Sequence, residues 1–350
     1  MNVLAAISHA SLPVLARVAE MFIAASLLAV LAWAASRTRW LQQRPAVAAA
    51  MWSLVLAKAV MPWGPHLTWH YRDAAASAAP INIEAQIHAA QAVPSLHWWQ
   101  AAIIVGIGLW LAGALWRMSR RVSASSRLAS RTQTLPAIDA TAQHVVRDVA
   151  ALVLGESPIP DVRVSATATT PFCVGLLQPR VVVPTTLLAH PARLRAALAH
   201  EFAHLRRRDL AWRALQLLVL DMVWCFPVAQ LASRRIDAAR EAACDAIAVS
   251  ALAMVPSAYG ALLLDVALAR GPRAALGMAG NGQLRSRITG LAYDRKQGVD
   301  RLGWALLVGF AAVATLSVHA QAKSAERPCY YSAELAESLL VAHPEADRNA

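Results

Sequence analysis

Charged residues are scarce. Asp, Glu, Lys and Arg make up 15% of the 350 residues, where a soluble domain carries about 25%. With 57% of the chain hydrophobic, that shortfall excludes a wholly soluble protein and points to lipid-facing helices. Cysteine is scarce too. The four present, Cys173, Cys225, Cys244 and Cys329, form no C-x-x-C and no paired spacing, which excludes a disulfide framework and a thiolate zinc site. No internal repeat and no low-complexity tract stands out, so a repeat architecture is excluded as well. Acidic residues number 21 against 33 Lys and Arg, a formal net charge of +12. That balance alone suits nucleic acid. The arginines, however, gather beside apolar runs as the positive-inside rule produces, so no direct nucleic-acid binding is expected.

Four apolar runs approach the roughly 17–25 residues of a membrane span: about 12–35, 46–63, 98–116 and 302–320. The first holds Arg17 and Glu20, three apart and able to pair. It has no basic leader and no small-residue cleavage site, so it reads as an anchor and not a removed signal peptide. The second contains Lys58, able to snorkel outward. The third is bounded by tryptophans, as an interfacial belt is. Basic residues cluster at Arg37, Arg39 and Arg44, at Arg117, Arg120, Arg121, Arg127 and Arg131, and at Arg285, Arg287, Arg295, Lys296 and Arg301. All three sets fall on one side if the N-terminus is outside.

The expected organisation is therefore an N-terminal membrane region (1–116) with three spans, a cytoplasmic domain (117–301), a fourth span (302–320) and a short extracytoplasmic tail (321–350). Both termini would be extracytoplasmic in a bacterial-type inner (cell) membrane. A fifth apolar run, Leu210 to Pro227, would break the charge rule if it crossed.

Within the domain, Ser123 to Thr134 reads as a linker. Asp139 caps a helix that runs to Leu154. Val162 to Ser165 alternates as a strand does, and Phe172–Leu177 with Arg180–Pro184 reads as a hairpin turning at Gln178-Pro179. Helices follow from Pro191 to Arg207, from Ala229 to Val249 and from Pro256 to Ala269.

The third of these segments from the end carries His200-Glu201-Phe202-Ala203-His204, an H-E-x-x-H motif. Residues four apart share a helix face, so His200 and His204 can present two imidazoles to one Zn2+ ion. Glu201 can reach a water on that metal as general base. A catalytic site needs a third protein ligand. The best candidate is Glu241 in Glu241-Ala242-Ala243-Cys244-Asp245, with Asp245 one turn on, placed to accept the free N–H of a ligand histidine. If one ion binds all three, Leu210–Pro227 cannot be a single crossing. It must be buried, interfacial or re-entrant. Tyr259 and Arg240 have the chemistry of a transition-state stabiliser. Cys244 reads as a small core residue, His190 as solvated, and Gly106 and Gly108 as helix packing.

These segments resemble the BlaR/MecR-type membrane metallopeptidases, the penicillinase antirepressor family. The resemblance rests on His200–Leu210, on Trp224-Cys225-Phe226-Pro227, on Arg240–Asp245, and on Pro171–Gly175 with Gln178–Pro184. It implies a mainly α, polytopic membrane protein with four transmembrane helices and a cytoplasmic α+β gluzincin-like zinc peptidase domain. It also implies zinc on His200, His204 and Glu241, Glu201 as base and Asp245 as orienting residue, with the upstream strand as a substrate-binding edge. The expected activity is a zinc endopeptidase in signal transduction, cleaving itself or a cytosolic DNA-binding repressor. The antibiotic-sensing members carry a penicillin-binding domain after the last span. Residues 321–350 are too short for one, so sensing through such a domain is not expected. Two other readings remain: a non-proteolytic transducer with a structural or vestigial metal site, and a quality-control protease of the Ste24/HtpX type.

Overall fold

The computed structural model describes residues 3–61, 66–72, 98–268, 284, 287–291, 298–315 and 317–323. Arg285, Arg295 and Lys296, most of the loop before the third apolar run, and the tail after Lys323 lie outside the described residues. The chain divides into two compact units, one of residues 1–65 and 95–317, the other of residues 66–94 and 318–350.

In the larger unit, α1 (Val3–Ala35), α2 (Arg39–Gln42) and α3 (Pro45–Lys58) come first. Thr38 Oγ1 caps α2 by accepting from the Leu41 amide at 3.3 Å. Next is α4 (Trp98–Gln133), of 36 residues and therefore about 54 Å long. Its second half occupies the stretch expected to be a linker. Nothing from Arg117 to Gln133 is Pro or Gly, so the helix has no reason to stop.

Among the described residues, two helices are long and apolar enough to cross a membrane, Arg17–Ala35 of α1 and Ala101–Gln133 of α4, and a third span is added if the bent pair Pro227–Ala251 and Pro256–Asp265 counts as one. The other two expected spans are shorter apolar helices, α3 with 14 residues and α11 (Arg301–Thr315) with 15. The first stops ahead of Pro62; the second gives way to a strand at Ser317. Lys58, expected to snorkel, is buried.

An α+β part follows α4. Asp139 accepts from the Ala142 amide at 2.9 Å and starts α5 (Ala140–Leu154). Strand β2 (Asp161–Ser165) runs parallel to β4 (Arg180–Pro184), and β3 (Phe172–Val174) runs antiparallel to β4, giving the order β2-β4-β3. Gly175 makes the β3–β4 turn at φ 92°; a Cβ there would collide with the Gln178 carbonyl. After α6 (Thr185–Leu188), Pro191 at the first helical position opens α7 (Pro191–Arg206). The valines of α5 and Val181 and Val183 of β4 pack with Leu194, Leu198 and Phe202 of α7 in one core.

Two further helices tie this core to the apolar ones. Helix α8 (Asp209–Met222) runs out, the chain turns at Val223–Phe226, and α9 (Pro227–Ala251) returns alongside. Arg213 pairs with Asp237 (3.1 Å), Gln216 bonds Ser233 Oγ (2.9 Å), and Arg240 bonds Gln216 (2.6 Å), as an antiparallel pair requires. Ala229, Ala232 and Ile236 of α9 belong to a second core with α1, α3 and α11, while Cys244, Ile247 and Ala248 belong to the first. The hairpin tip lies among the candidate spans: Phe226 meets Phe22 of α1 at 5.2 Å, and Trp224 Nε1 donates to the Trp110 carbonyl of α4 at 3.3 Å. Trp212, Leu215, Leu218 and Met222 leave one exposed apolar face along α8. Helix α10 (Pro256–Leu268) meets α9 at a bend of 118°.

In the smaller unit, β1 (His66–Arg72) and β5 (Ser317–Lys323) form a two-stranded sheet.

Candidate metal centre

Helix α7 is buried between α5 and α9, and it presents His200 and His204 toward Glu241 of α9. The two imidazoles meet edge to face, with ring centroids 4.9 Å apart. His200 Nε2 lies 3.4 Å from Glu241 Oε2, and His204 Nε2 lies 3.6 Å from Glu241 Oε1. Three donors on a tetrahedral ion with bonds of about 2.0–2.1 Å stand about 3.4 Å from each other. The residues therefore fit a metal ion both in donor type and in spacing.

The other ring nitrogens are fixed by acids. Asp245 Oδ1 lies 3.1 Å from His200 Nδ1, and Asp209 Oδ2 lies 2.9 Å from His204 Nδ1. An Nδ1–H held in this way leaves the Nε2 lone pair for the ion. Asp209 reaches its place because Arg208, left-handed at φ 56°, turns the chain back between α7 and α8. Asp245 is fully buried, and its charge is met by Arg287, which donates from Nη2 to Oδ1 (2.6 Å) and from Nε to Oδ2 (3.0 Å). Arg287 Nη1 also stands 3.5 Å from Glu241 Oε2.

These charges set the protonation of the ligands. Burial would raise the Glu241 carboxyl, but His200 and then Arg287 and His204 hold it down to about 2. Burial and the Arg287 charge pull His200 down, yet hydrogen bonds to Asp245 and Glu241 outweigh them and raise it to about 9. Without a metal the His200 ring thus carries a proton that an ion must displace.

Glu201 is buried beside His200. Cys173 of β3 donates its thiol to Glu201 Oε2 at 3.2 Å and to the Glu201 carbonyl at 3.4 Å. Burial and the Glu201 charge push the Cys173 thiol well up, so it remains an S–H donor.

The remaining candidates stand behind the ligands. Tyr259 is fully buried with its hydroxyl on Asp245 Oδ1 (3.1 Å). Arg240 is buried with its guanidinium on Asp237 and Gln216 and 3.7 Å from Asp209. Both have their polar groups on the supporting network. A second cluster, His204, Asp209 and Cys244, is also close enough for a metal. Its 2.9 Å His204–Asp209 contact has the length of a hydrogen bond, and Arg207 approaches Asp209 to 3.3 Å. Cations crowd that acid, which favours orientation of His204 over a second ion.

Asp209, Arg287 and Cys173 are the residues around the candidate centre that sequence reasoning left out of it. Asp209 had a local signal, an acid just past the helix break after His204. Arg287 had none. It counted only toward membrane orientation, and its partner Asp245 lies far away in sequence.

Among known families, the one described as BlaR1 peptidase M56 matches residues 16–291. The matched stretch runs from α1 through the helical turn that bears Arg287. No curated protein matches the chain.

Proposed function

The chain belongs to the BlaR1 peptidase M56 family, and from that membership we propose that it is a zinc-dependent membrane endopeptidase acting in signal transduction. The observation that carries this reading is the convergence of His200 Nε2, His204 Nε2 and Glu241 at tetrahedral spacing, with Glu201 following His200 in the sequence. The metal would be Zn2+, held by those three side chains in a gluzincin-like α+β domain. When bound, zinc supplies a Lewis acid that polarises a peptide carbonyl and lowers the pKa of water.

The chain's own groups do the rest. Asp245 and Asp209 keep both imidazoles in the Nδ1–H form. Cys173 holds Glu201 Oε2, which leaves Oε1 to accept a proton and return it to the departing amine. Strand β3 pairs on one side with β4, and a peptide laid along its other edge as an added strand would pass Glu201. Arg240 and Tyr259 support the ligands; in this reading neither stabilises the transition state directly.

The substrate is a cytosolic protein, either a DNA-binding repressor or this chain itself, by analogy with the family. The α8–α9 hairpin is re-entrant: it dips among the spans and returns, so that all three ligands share the cytoplasmic face. Against a non-proteolytic transducer stands Glu201, since a purely structural site has no use for a base. Against an HtpX-type protease stands the order of the apolar runs, with three before the peptidase domain and one after it.

Purified full-length protein and its Glu201→Gln variant test the activity. Equal zinc content with loss of casein hydrolysis, by about 10²-fold or more for a removed general base, is the expected outcome. Equal hydrolysis by both would refute the assignment of Glu201.

A further inference from the structure

Asp221 lies near the end of α8 with 1% of its surface exposed. It accepts from two arginines one turn apart on α4. Arg121 donates from Nε to Oδ2 (2.7 Å) and from Nη2 to Oδ1 (2.8 Å), and Arg117 donates from Nε to Oδ1 (3.2 Å). One turn beyond Asp221, the Trp224 ring lies so close to Gly113 of α4 that a Cβ there would stand 3.0 Å from it. Both contacts fix the end of α8 to α4.

The other end of the same helix is at the metal centre. Asp209, about 18 Å away at 1.5 Å per residue, begins α8 and holds His204 Nδ1. Between these ends Gln216 accepts from Arg240 at 2.6 Å, next in sequence to Glu241. One stiff helix thus joins a membrane helix to the orienting acid of one ligand and to the neighbour of another.

Building on the metallopeptidase reading above, we propose that Asp221 is a positioning residue through which α4 sets the metal centre. A shift of α4 moves α8 as a rod, and with it Asp209, His204 and the register of α9. An acid buried this deeply cannot part from both guanidiniums without being left charged and uncompensated. The contact is therefore either made or broken, as a switch requires. The signal this device reads is a displacement of α4, whose first half is a candidate span and whose second half carries the two arginines.

The test uses full-length protein in detergent micelles, cobalt(II) as a visible probe of ligand geometry, and labelled casein as substrate. Asp221→Asn and Arg121→Lys are expected to bind cobalt, to shift its absorption bands, and to lower kcat about tenfold with KM unchanged. The double variant Asp221→Asn with Arg121→Gln should be no worse than Asp221→Asn alone, because the contact is already lost. Folded variants with wild-type kcat and wild-type cobalt bands would overturn the proposal. If Asp221→Asn does not fold, Arg121→Lys, which keeps the charges but loses the two-point geometry, decides the matter. Wild type that binds cobalt but cleaves nothing refutes the peptidase reading and leaves the cobalt bands to decide the role of Asp221. Wild type that takes up no cobalt overturns both.

Discussion

Each ligand histidine has an acid behind it, Asp245 for His200 and Asp209 for His204. The two acids are supported differently. Asp245 is matched by Arg287 and Tyr259, whereas Asp209 shares its oxygens with Cys244 and the edges of Arg207 and Arg240. Asp245→Asn and Asp209→Asn should each weaken zinc binding about 10–100-fold, measured by competition with a chromogenic chelator; affinity unchanged in both would remove the orienting role. Proton competition gives a second expectation. His200 in the metal-free protein titrates at about 9, above its unfolded value of about 6.5. Its stabilising contribution to the metal-free fold is therefore complete below about pH 6.5 and is lost as pH rises through about 9. Zinc must expel that proton, so apparent affinity should rise across the same window, with proton release visible by calorimetry in buffers of different ionisation enthalpy. Affinity flat from pH 6.5 to 9 would contradict the assignment. The H-E-x-x-H spacing and the E-x-x-x-D that follows were legible because they are local and helical. Arg287 was not, since a guanidinium brought home by tertiary folding leaves no periodic trace.

At the scale of elements, local chemistry foretold much. The Asp139 cap, the hairpin turn and the Pro191 start each depend on a few neighbouring residues; the cap and the start are where expected, while the turn, expected at Gln178-Pro179, begins already at Gly175 because β3 ends at Val174. Ser123–Thr134 failed as a linker because serine and arginine do not end a helix without Gly or Pro. The return of α9 along α8 was legible only by the demand that one ion bind all three ligands. The pairing of β1 with β5 left no signal in either segment, yet it bears on topology. Segments that share a sheet lie on one side of a membrane, so the stretch after α3 and the stretch after α11 belong together. With the basic clusters inward, both are extracytoplasmic in the proposed orientation. Reporter fusions after residues 80 and 350 should then read as external and one after residue 150 as cytoplasmic; an external reading at 150 would reverse the account.

On the scale of the whole molecule, the buried hydrophobic side chains among the described residues form two cores that meet along α9. Its first half packs with α1, α3 and α11, its second with α5, α7 and the sheet. Glu241 falls between them, so the candidate metal centre lies where the apolar helices meet the α+β part. Buried charges stand close to it, with Glu201, Asp209, Arg240 and Asp245 all buried. In the proposed site the ion sits on His200, His204 and Glu241 and not on the neighbouring His204, Asp209 and Cys244 cluster. Zinc-edge X-ray absorption of the purified full-length protein separates the two. The expected result is bound zinc with nitrogen and oxygen ligands alone at about 2.0–2.1 Å, including two imidazoles. A sulfur ligand at about 2.3 Å, or no zinc at all, would contradict it.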